Sequence, residues 1–248
     1  MTATPWMHVF VDVPQERLGE AQHFWAAATG AEASAPWPGH SEFTSLRSET
    51  GDPYVHVQRI DDGEARVHLD LLADDIDLET ERLAALGARR GDRHEWWQVM
   101  RSPGGFPFCV CGDPVRTKPV PVTWPTGHRS RVVQLCLDVP AGDFEAEVGF
   151  WREATGWAFE RMRRGEFESL VPPSSSPVKL LLQRLGPDDG RTSTTAHIDL
   201  GTDDVDAEVA RLVDLGATDV EQPADRGGWH VLEDPVGLRF CVTGRPPD

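Results

Sequence analysis

Two short segments hold the residue types that do acid–base or ligand chemistry: Val67-His68-Leu69-Asp70-Leu71 and Ala196-His197-Ile198-Asp199-Leu200. In each, a histidine and an aspartate stand two positions apart. On an extended strand both side chains then leave the same face, with their origins about 6.5 to 7 Å apart along the chain. Such a pair, His68 with Asp70 or His197 with Asp199, can act as a general-base dyad if a water or substrate atom bridges it. It can equally serve as a pair of strand side chains that hydrogen-bond across a sheet. Cys109 and Cys241 each lie in a Phe-Cys-Val run with no base beside them in sequence, which suits a small core residue better than a nucleophile. A second set is aromatic. Trp37 stands in a loop, and Trp97 and Trp229 take matching places ahead of the last turn, beside Trp96 and His230. Turned inward, these rings offer flat surfaces to a planar or cationic ligand; otherwise they seal contacts between repeated units.

The elements that would position these residues occur twice. Val11 to Pro14 (VDVP) returns as Leu137 to Pro140 (LDVP), and the run HFWAAATG ending at Gly30 returns as GFWREATG ending at Gly156, both 126 residues on. The two His-x-Asp segments are 129 apart, and the runs from Pro103 to Val110 and from Pro235 to Val242 are 132 apart, so the second copy is longer in two loops. One order of elements repeated once describes a tandem duplication, not a solenoid. Residues 1–112 and 131–248 are the expected domains. Asp113 to Ser130, rich in proline, is read as a linker in which Trp124 packs on a domain. Within a copy the periods alternate. Val9, Val11 and Val13 share one strand face, and His8, Phe10 and Asp12 share the other. Leu18, Ala21, Trp25 and Ala28 recur at helical spacing up to a capping Gly30. A second helix runs from Asp74-Asp75 to Gly87, and its counterpart carries a stripe of Val205, Val209, Leu212 and Val213 between Asp203-Asp204 and Gly216. Trp25 and Trp151 are expected in the core.

Composition narrows the function classes. The chain has 248 residues, 39% of them hydrophobic, with 24 basic against 41 acidic side chains and a net charge of −17. That apolar share supports buried cores. The acidic excess, with no basic cluster, argues against nucleic acid and anionic lipid as partners. No apolar run reaches membrane-spanning length and the first residues show no leader pattern, so a cytoplasmic protein is expected. Four cysteines without a paired spacing point to reduced thiols.

Taken together, D-V-P after the first strand, F-W-x-x-x-T-G closing the first helix, H-x-D-L before the second, and P-x-G-x-x-F-C-V at the end resemble the vicinal oxygen chelate superfamily. That superfamily contains glyoxalase I, bleomycin-resistance proteins and extradiol dioxygenases, and the chain looks most like the tandem glyoxalase-like branch of actinobacterial type. The resemblance implies an α+β fold in which two βαβββ modules per copy pair into a cupped mixed sheet with helices outside. It also implies four metal-ligand positions per copy: His8, Gln58, His68 and Cys109 in the first, and Gln134, Gln183, His197 and Cys241 in the second. Where the family places a glutamate, both copies carry cysteine, and neither set holds a carboxylate. Divalent ions depend on anionic ligands to offset their desolvation. No cofactor is therefore the first expectation, and a divalent Zn, Mn, Fe or Ni ion the alternative. The corresponding function is a small-molecule binding protein of the sequestration or resistance type. Its ligand would be aromatic or cationic, held by Trp37, Trp97, Trp229, Phe10, Asp12 and Arg239. The alternative is an enzyme of lyase, isomerase or dioxygenase type working through His8 and His68 with a metal, or through a His/Asp pair without one. A monomer with an internal pseudo-dimer is expected, a homodimer being compatible with it.

Overall fold

The computed structural model describes residues 4–112, 116–220 and 228–248. The first three residues, inspected above for a leader, and residues 113–115 of the Pro-rich segment lie outside the described residues. Each copy builds one mixed sheet. In the first copy, β1 (Met7–Pro14), α1 (Leu18–Thr29), β2 (Glu32–Ala33), β3 (Phe43–Arg47) and β4 (Val55–Ile60) make one βαβββ module. The next comprises β5 (Arg66–Leu72), α2 (Ile76–Ala85), β6 (Arg89–Arg93), β7 (Trp97–Arg101) and β8 (Pro107–Cys111). The strand order is β2-β3-β4-β1-β5-β8-β7-β6. The second copy follows with β9 (Val122–Thr123), β10 (Arg129–Val139), α3 (Phe144–Thr155), β11 (Ala158–Arg161), β12 (Phe167–Val171) and β13 (Lys179–Arg184). It closes with β14 (Thr195–Thr202), α4 (Val205–Asp214), β15 (Thr218–Asp219), β16 (Trp229–Glu233) and β17 (Arg239–Thr243). Its order, β11-β12-β13-β10-β14-β17-β16-β15, repeats that of the first, with β9 paired to β10 off the path.

Local signals act as the residue types dictate. Val9, Val11 and Val13 on β1 are fully buried. α1 ends at Gly30 in the left-handed region (φ 62°), where a Cβ would lie 2.9 Å from Val122. Asp75 and Asp204 cap α2 and α4 by accepting from the amides of Leu78 and Ala207. One stripe differs from expectation: on α4, Leu212 is buried with Glu208, while Val213 is exposed. Glu208 goes inward because His128, Ser130 and Arg211 bond its two oxygens at 2.7–2.8 Å. Burial pushes its carboxyl up, and Arg211, followed by His128 and Ser130, holds it below its ordinary value.

Compactness follows a different division from the repeat. One unit comprises Met1–Val9, His68–Arg116 and Leu135–Ala196; the other comprises Phe10–Val67, Thr117–Gln134 and His197–Asp248. Each unit thus combines a module from one copy with a module from the other. In the first unit, Trp151 of α3 packs on Phe106, Phe108 and Phe150. Its indole N–H donates to Glu147 at 2.7 Å, and the other oxygen of Glu147 accepts from the amide of Gly104 in the β7–β8 turn. In the second unit, Trp25 of α1 packs on Phe24 and Phe240 and donates to Asp234 at 2.8 Å. Asp234 also accepts from the amides of Val236 and Leu238 in the β16–β17 turn. The helix ends are matched as well. Arg82 of α2 donates to the carbonyls of Glu153 and Ala154 closing α3, and Arg211 of α4 to those of Ala27 and Ala28 closing α1, where a cation meets the negative helix end.

The Pro-rich segment is held in place within the second unit. Thr117 and Asp52 exchange two hydrogen bonds, and a Cβ on Gly51 (φ 66°) would meet the Pro119 nitrogen at 2.6 Å. As expected, Trp124 packs: its N–H reaches Ser130 at 2.7 Å and the Arg211 guanidinium lies 3.5 Å from its ring centre. Among the described residues, no helix is long and apolar enough to cross a membrane.

Burial pushes the Asp234 carboxyl up to about 6, against the pull of its turn amides and of Trp25. Between about pH 4 and pH 6 the folded protein therefore keeps a proton that the unfolded chain has released. Stability falls as pH rises through that window and is level above it, by about 3 kcal/mol at most. Urea unfolding is expected to show a steeper fall across this window in wild type than in Asp234→Asn, the difference between the two being the Asp234 contribution; equal slopes would count against it.

Candidate functional site

The strand pair β5 and β8 carries the chemistry of the first unit. The two run parallel with Asp70 opposite Cys109, so His68, Asp70 and Cys109 project from one face. His68, Asp70 and Cys109 are all buried, and one ligand atom from each falls within 4.8 Å of the others. The His68 Nε2 lies 3.4 Å from Asp70 Oδ1. The side chains lean along the strand and close most of the gap that the Cα spacing implies, so a bridging atom is not required to couple them. Burial, then the negative charge of Asp70, pushes the Cys109 thiol up to about 12 despite His68. Across the antiparallel β7, Val99 stands opposite Cys109 and Trp97 opposite Cys111, which puts Trp97 on the same face; its ring stacks on His94 at 4.4 Å.

β14 and β17 repeat the arrangement in the second unit. Asp199 is opposite Cys241, His197 Nε2 is 3.4 Å from Asp199 Oδ1, and the three ligand atoms again fall within 4.8 Å. The Gln134 amide donates to the second Asp199 oxygen. Trp229 stands opposite Thr243, two positions from Cys241 along β17, and His230 pairs with Asp219 at 2.8 Å. Arg239 is exposed, its guanidinium 3.8 Å from Glu233.

A separate cluster in the second unit is aromatic. Phe10 stacks on His56 at 4.7 Å with its plane 24° off parallel, and Trp37 meets Phe43 at 5.0 Å and His56 at 5.4 Å. Ser45 ties them: its hydroxyl oxygen receives the Trp37 N–H at 2.9 Å and lies 3.0 Å from His56 Nδ1. Phe10, Phe43 and His56 are buried, whereas Trp37 keeps part of its surface open. His56, Phe43 and Ser45 are not apparent as site residues from the sequence. The alternation Val55-His56-Val57 is their one trace, since it turns the histidine away from the two buried valines.

The structure places the other expected residues as follows. His8 is buried on β1, its ring 6.3 Å edge-on from Trp6, and is not part of the His68–Asp70–Cys109 group. Gln58 and Gln183 are half-buried in matching register, opposite Phe43 and Phe167. Asp12 is buried with Arg66 at 3.3 Å, and its counterpart Asp138 meets Arg191 at 3.2 Å, so each carboxylate of the two D-V-P motifs has its own cation. Trp96 is largely exposed.

A carboxylate therefore does stand beside the histidine and cysteine of each copy, supplied from within the same strand. Imidazole, carboxylate and thiol together fit a borderline cation, with a coordination position left over.

Two mixed sheets of paired βαβββ modules, each presenting His, Asp and Cys from its middle strands, define the vicinal oxygen chelate architecture. The sequence profile of the glyoxalase-like domain matches residues 8–111 and 134–243, and the chain belongs to that family. Among solved structures it is similar to the Mn(II)-bound glyoxalase from Novosphingobium aromaticivorans, with 16% identity and a TM-score of 0.71 over 98% of this chain and 83% of that one. It is also similar to a mutant 4-hydroxymandelate synthase from Streptomyces coelicolor (16%, 0.60, 99% and 94%) and to homoprotocatechuate 2,3-dioxygenase from Arthrobacter globiformis (14%, 0.59, 98% and 81%). At these identities the likeness is one of fold. A search of curated proteins finds no match.

Cys109, Cys136 and Cys241 are buried and Cys111 is half-buried. Alkylation of the native protein with iodoacetamide, read by peptide mass spectrometry, is expected to label Cys111 first and the other three only after unfolding.

Proposed function

We propose that this chain binds a planar aromatic small molecule against the Trp37 wall, as a binding protein of the sequestration type. The observation that carries this reading is the cluster of Phe10, Trp37, Phe43 and His56. Its rings touch one another at centroid separations of 4.7 to 6.3 Å, which leaves no interior for an enclosed ammonium group. A flat ring laid on the open part of Trp37 gains stacking and apolar burial. Ser45 and His56 lie behind that surface and hold the indole in place through the Trp37 N–H to the Ser45 hydroxyl. A catechol 2,3-dioxygenase and a homoprotocatechuate 2,3-dioxygenase are among the proteins of similar fold, which agrees with a ring-bearing ligand. A second reading, an enzyme, is favoured by the recurrence of His, Asp and Cys in both copies. It separates from the first by turnover: a reaction that survives removal of both His8 and His68 is not centred on a metal held there.

Catechol and homoprotocatechuate serve as probes in a calorimetric titration. Trp37→Ala is expected to weaken binding about tenfold or more, near 1.4 kcal/mol, with the unfolding midpoint little changed. His56→Leu is expected to weaken it less. Equal affinities in wild type and both variants, or no binding of either ring compound, overturn the proposal.

A further inference from the structure

We propose that Thr126 is a reactive hydroxyl, activated by His128 and Glu208, that takes up the acyl group of an activated carboxylic ester. The three residues belong to the second unit, Thr126 and His128 to the β9–β10 hairpin and Glu208 to α4. They share no residue with the His, Asp and Cys groups or with the Trp37 cluster.

The proton arrangement follows from the carboxylate. Each oxygen of Glu208 accepts two hydrogen bonds: Oε2 from His128 Nε2 at 2.7 Å and Arg211 Nε at 2.8 Å, and Oε1 from the Ser130 hydroxyl and Arg211 Nη2, both at 2.8 Å. A carboxyl gripped by a guanidinium in this way is ionised and only accepts, so Nε2 carries the ring N–H of His128. In the neutral ring Nδ1 then has the lone pair, and the Thr126 hydroxyl, 2.6 Å away, donates to it. Hydroxyl, imidazole and carboxylate therefore stand in the order of nucleophile, general base and orienting group.

Two further observations separate this arrangement from a packing contact. The hairpin holds it in one geometry: the Trp124 amide donates to the His128 carbonyl at 2.9 Å, the Gly127 amide to the Trp124 carbonyl at 2.8 Å, and Gly127 sits at φ 91°. His128 and Glu208 are buried while Thr126 is exposed, so the base is sheltered and the nucleophile meets solutes. The second observation is the equivalent pair in the first copy. Glu79 and Arg82 bond each other, and Arg82 fastens α2 to the end of α3. Among the described residues no imidazole bonds Glu79. The fastening is thus built once without a histidine and a hydroxyl, and in the second copy both are added to it.

In the step itself, Thr126 Oγ1 forms a bond to the ester carbonyl carbon and its proton passes to His128 Nδ1. The imidazolium is held by Glu208. The bond from carbon to the leaving oxygen then breaks, and that oxygen takes the proton back from Nδ1. A threonyl ester and an alcohol result, with no electron transferred.

The test incubates the whole chain with p-nitrophenyl acetate, quenches in acid and maps acetyl groups by peptide mass spectrometry. Lys118 and Lys179 are the only lysines, so few amines compete, and the exposed Thr123 and Thr192 serve as internal references. Thr126 is expected to be acetylated about a hundredfold faster than either reference, as general-base assistance allows. Thr126→Ser is expected to keep the adduct and Thr126→Val to lose it. His128→Gln and Glu208→Gln are expected to bring Thr126 down to the reference rate, with circular dichroism checking that each is folded. The preference in wild type decides the matter even where Glu208→Gln fails to fold. Acetylation of Thr126 no faster than of Thr192, or a preference that survives His128→Gln, would overturn the proposal. Ring binding sensitive to Trp37→Ala would survive either result.

Discussion

Trp25 and Trp151 are buried to within a percent or so of completely, and a buried indole N–H without an acceptor costs about 1–3 kcal/mol. Neither has a free backbone carbonyl to use in mid-helix, so each bonds a carboxylate: Asp234 for Trp25 and Glu147 for Trp151. The same carboxylates receive turn amides from the opposite copy. The helix of one repeat is thereby fastened to the last hairpin of the other, and Arg82 and Arg211 repeat the fastening at the helix ends. The compact units are mixed because these contacts cross between copies. A single repeat cut out of the chain would expose one tryptophan, its aromatic partners and an unsatisfied hairpin turn.

This arrangement also explains where the acidic excess goes. The net charge of −17 sits mostly in solvent, but several carboxylates lie inside and none of those described above is left to face apolar walls by itself. Asp12 and Asp138 have arginines, Glu208 has an arginine and a histidine, and Glu147 and Asp234 have hydrogen-bond donors. The buried acids whose neighbours are uncharged donors, Glu147 and Asp234, are the ones pushed up. The pair of site aspartates differs again: each has a histidine nitrogen 3.4 Å away, a separation longer than a well-formed hydrogen bond.

Repetition made the architecture legible in the sequence. D-V-P, F-W-x-x-x-T-G and the His-x-Asp segments recur in order, and each copy then has to fold alike. Period-two runs such as Val9, Val11 and Val13 identify the central strands because one face is uniformly apolar while the other carries His8, Phe10 and Asp12. The edge strands β2, β6, β11 and β15 carry no such pattern: Arg89–Arg93 is exposed throughout, so hydropathy could not mark it. His68, Asp70 and Cys109 were visible individually, but their convergence was not. It depends on the parallel register of β5 and β8, which joins positions 39 residues apart. The carboxyls of Glu147, Glu208 and Asp234 were hidden for a further reason. Each occupies a place that hydropathy reserves for solvent, and its partners are turn amides, tryptophans and a histidine that no spacing rule connects to it.

Equivalent positions show that the copies have parted around Ser45 and Ser169 and not where the sheet is built. Ser45 and Ser169 hold the same register, opposite His56 and Leu181, and Phe10 corresponds to Cys136. In the first copy the serine hydroxyl links Trp37 and His56. In the second, the histidine is leucine and the Ser169 hydroxyl is buried without a hydrogen bond. A core that had merely drifted would shed such a hydroxyl, since burying it without a partner costs about 1–3 kcal/mol. The His, Asp and Cys positions have meanwhile stayed the same in both copies. Duplication thus leaves one shared strand face carrying His, Asp and Cys in both copies and two different neighbouring sets of side chains, one built on Phe10, Trp37 and His56 and the other on Cys136, Ser169 and Leu181.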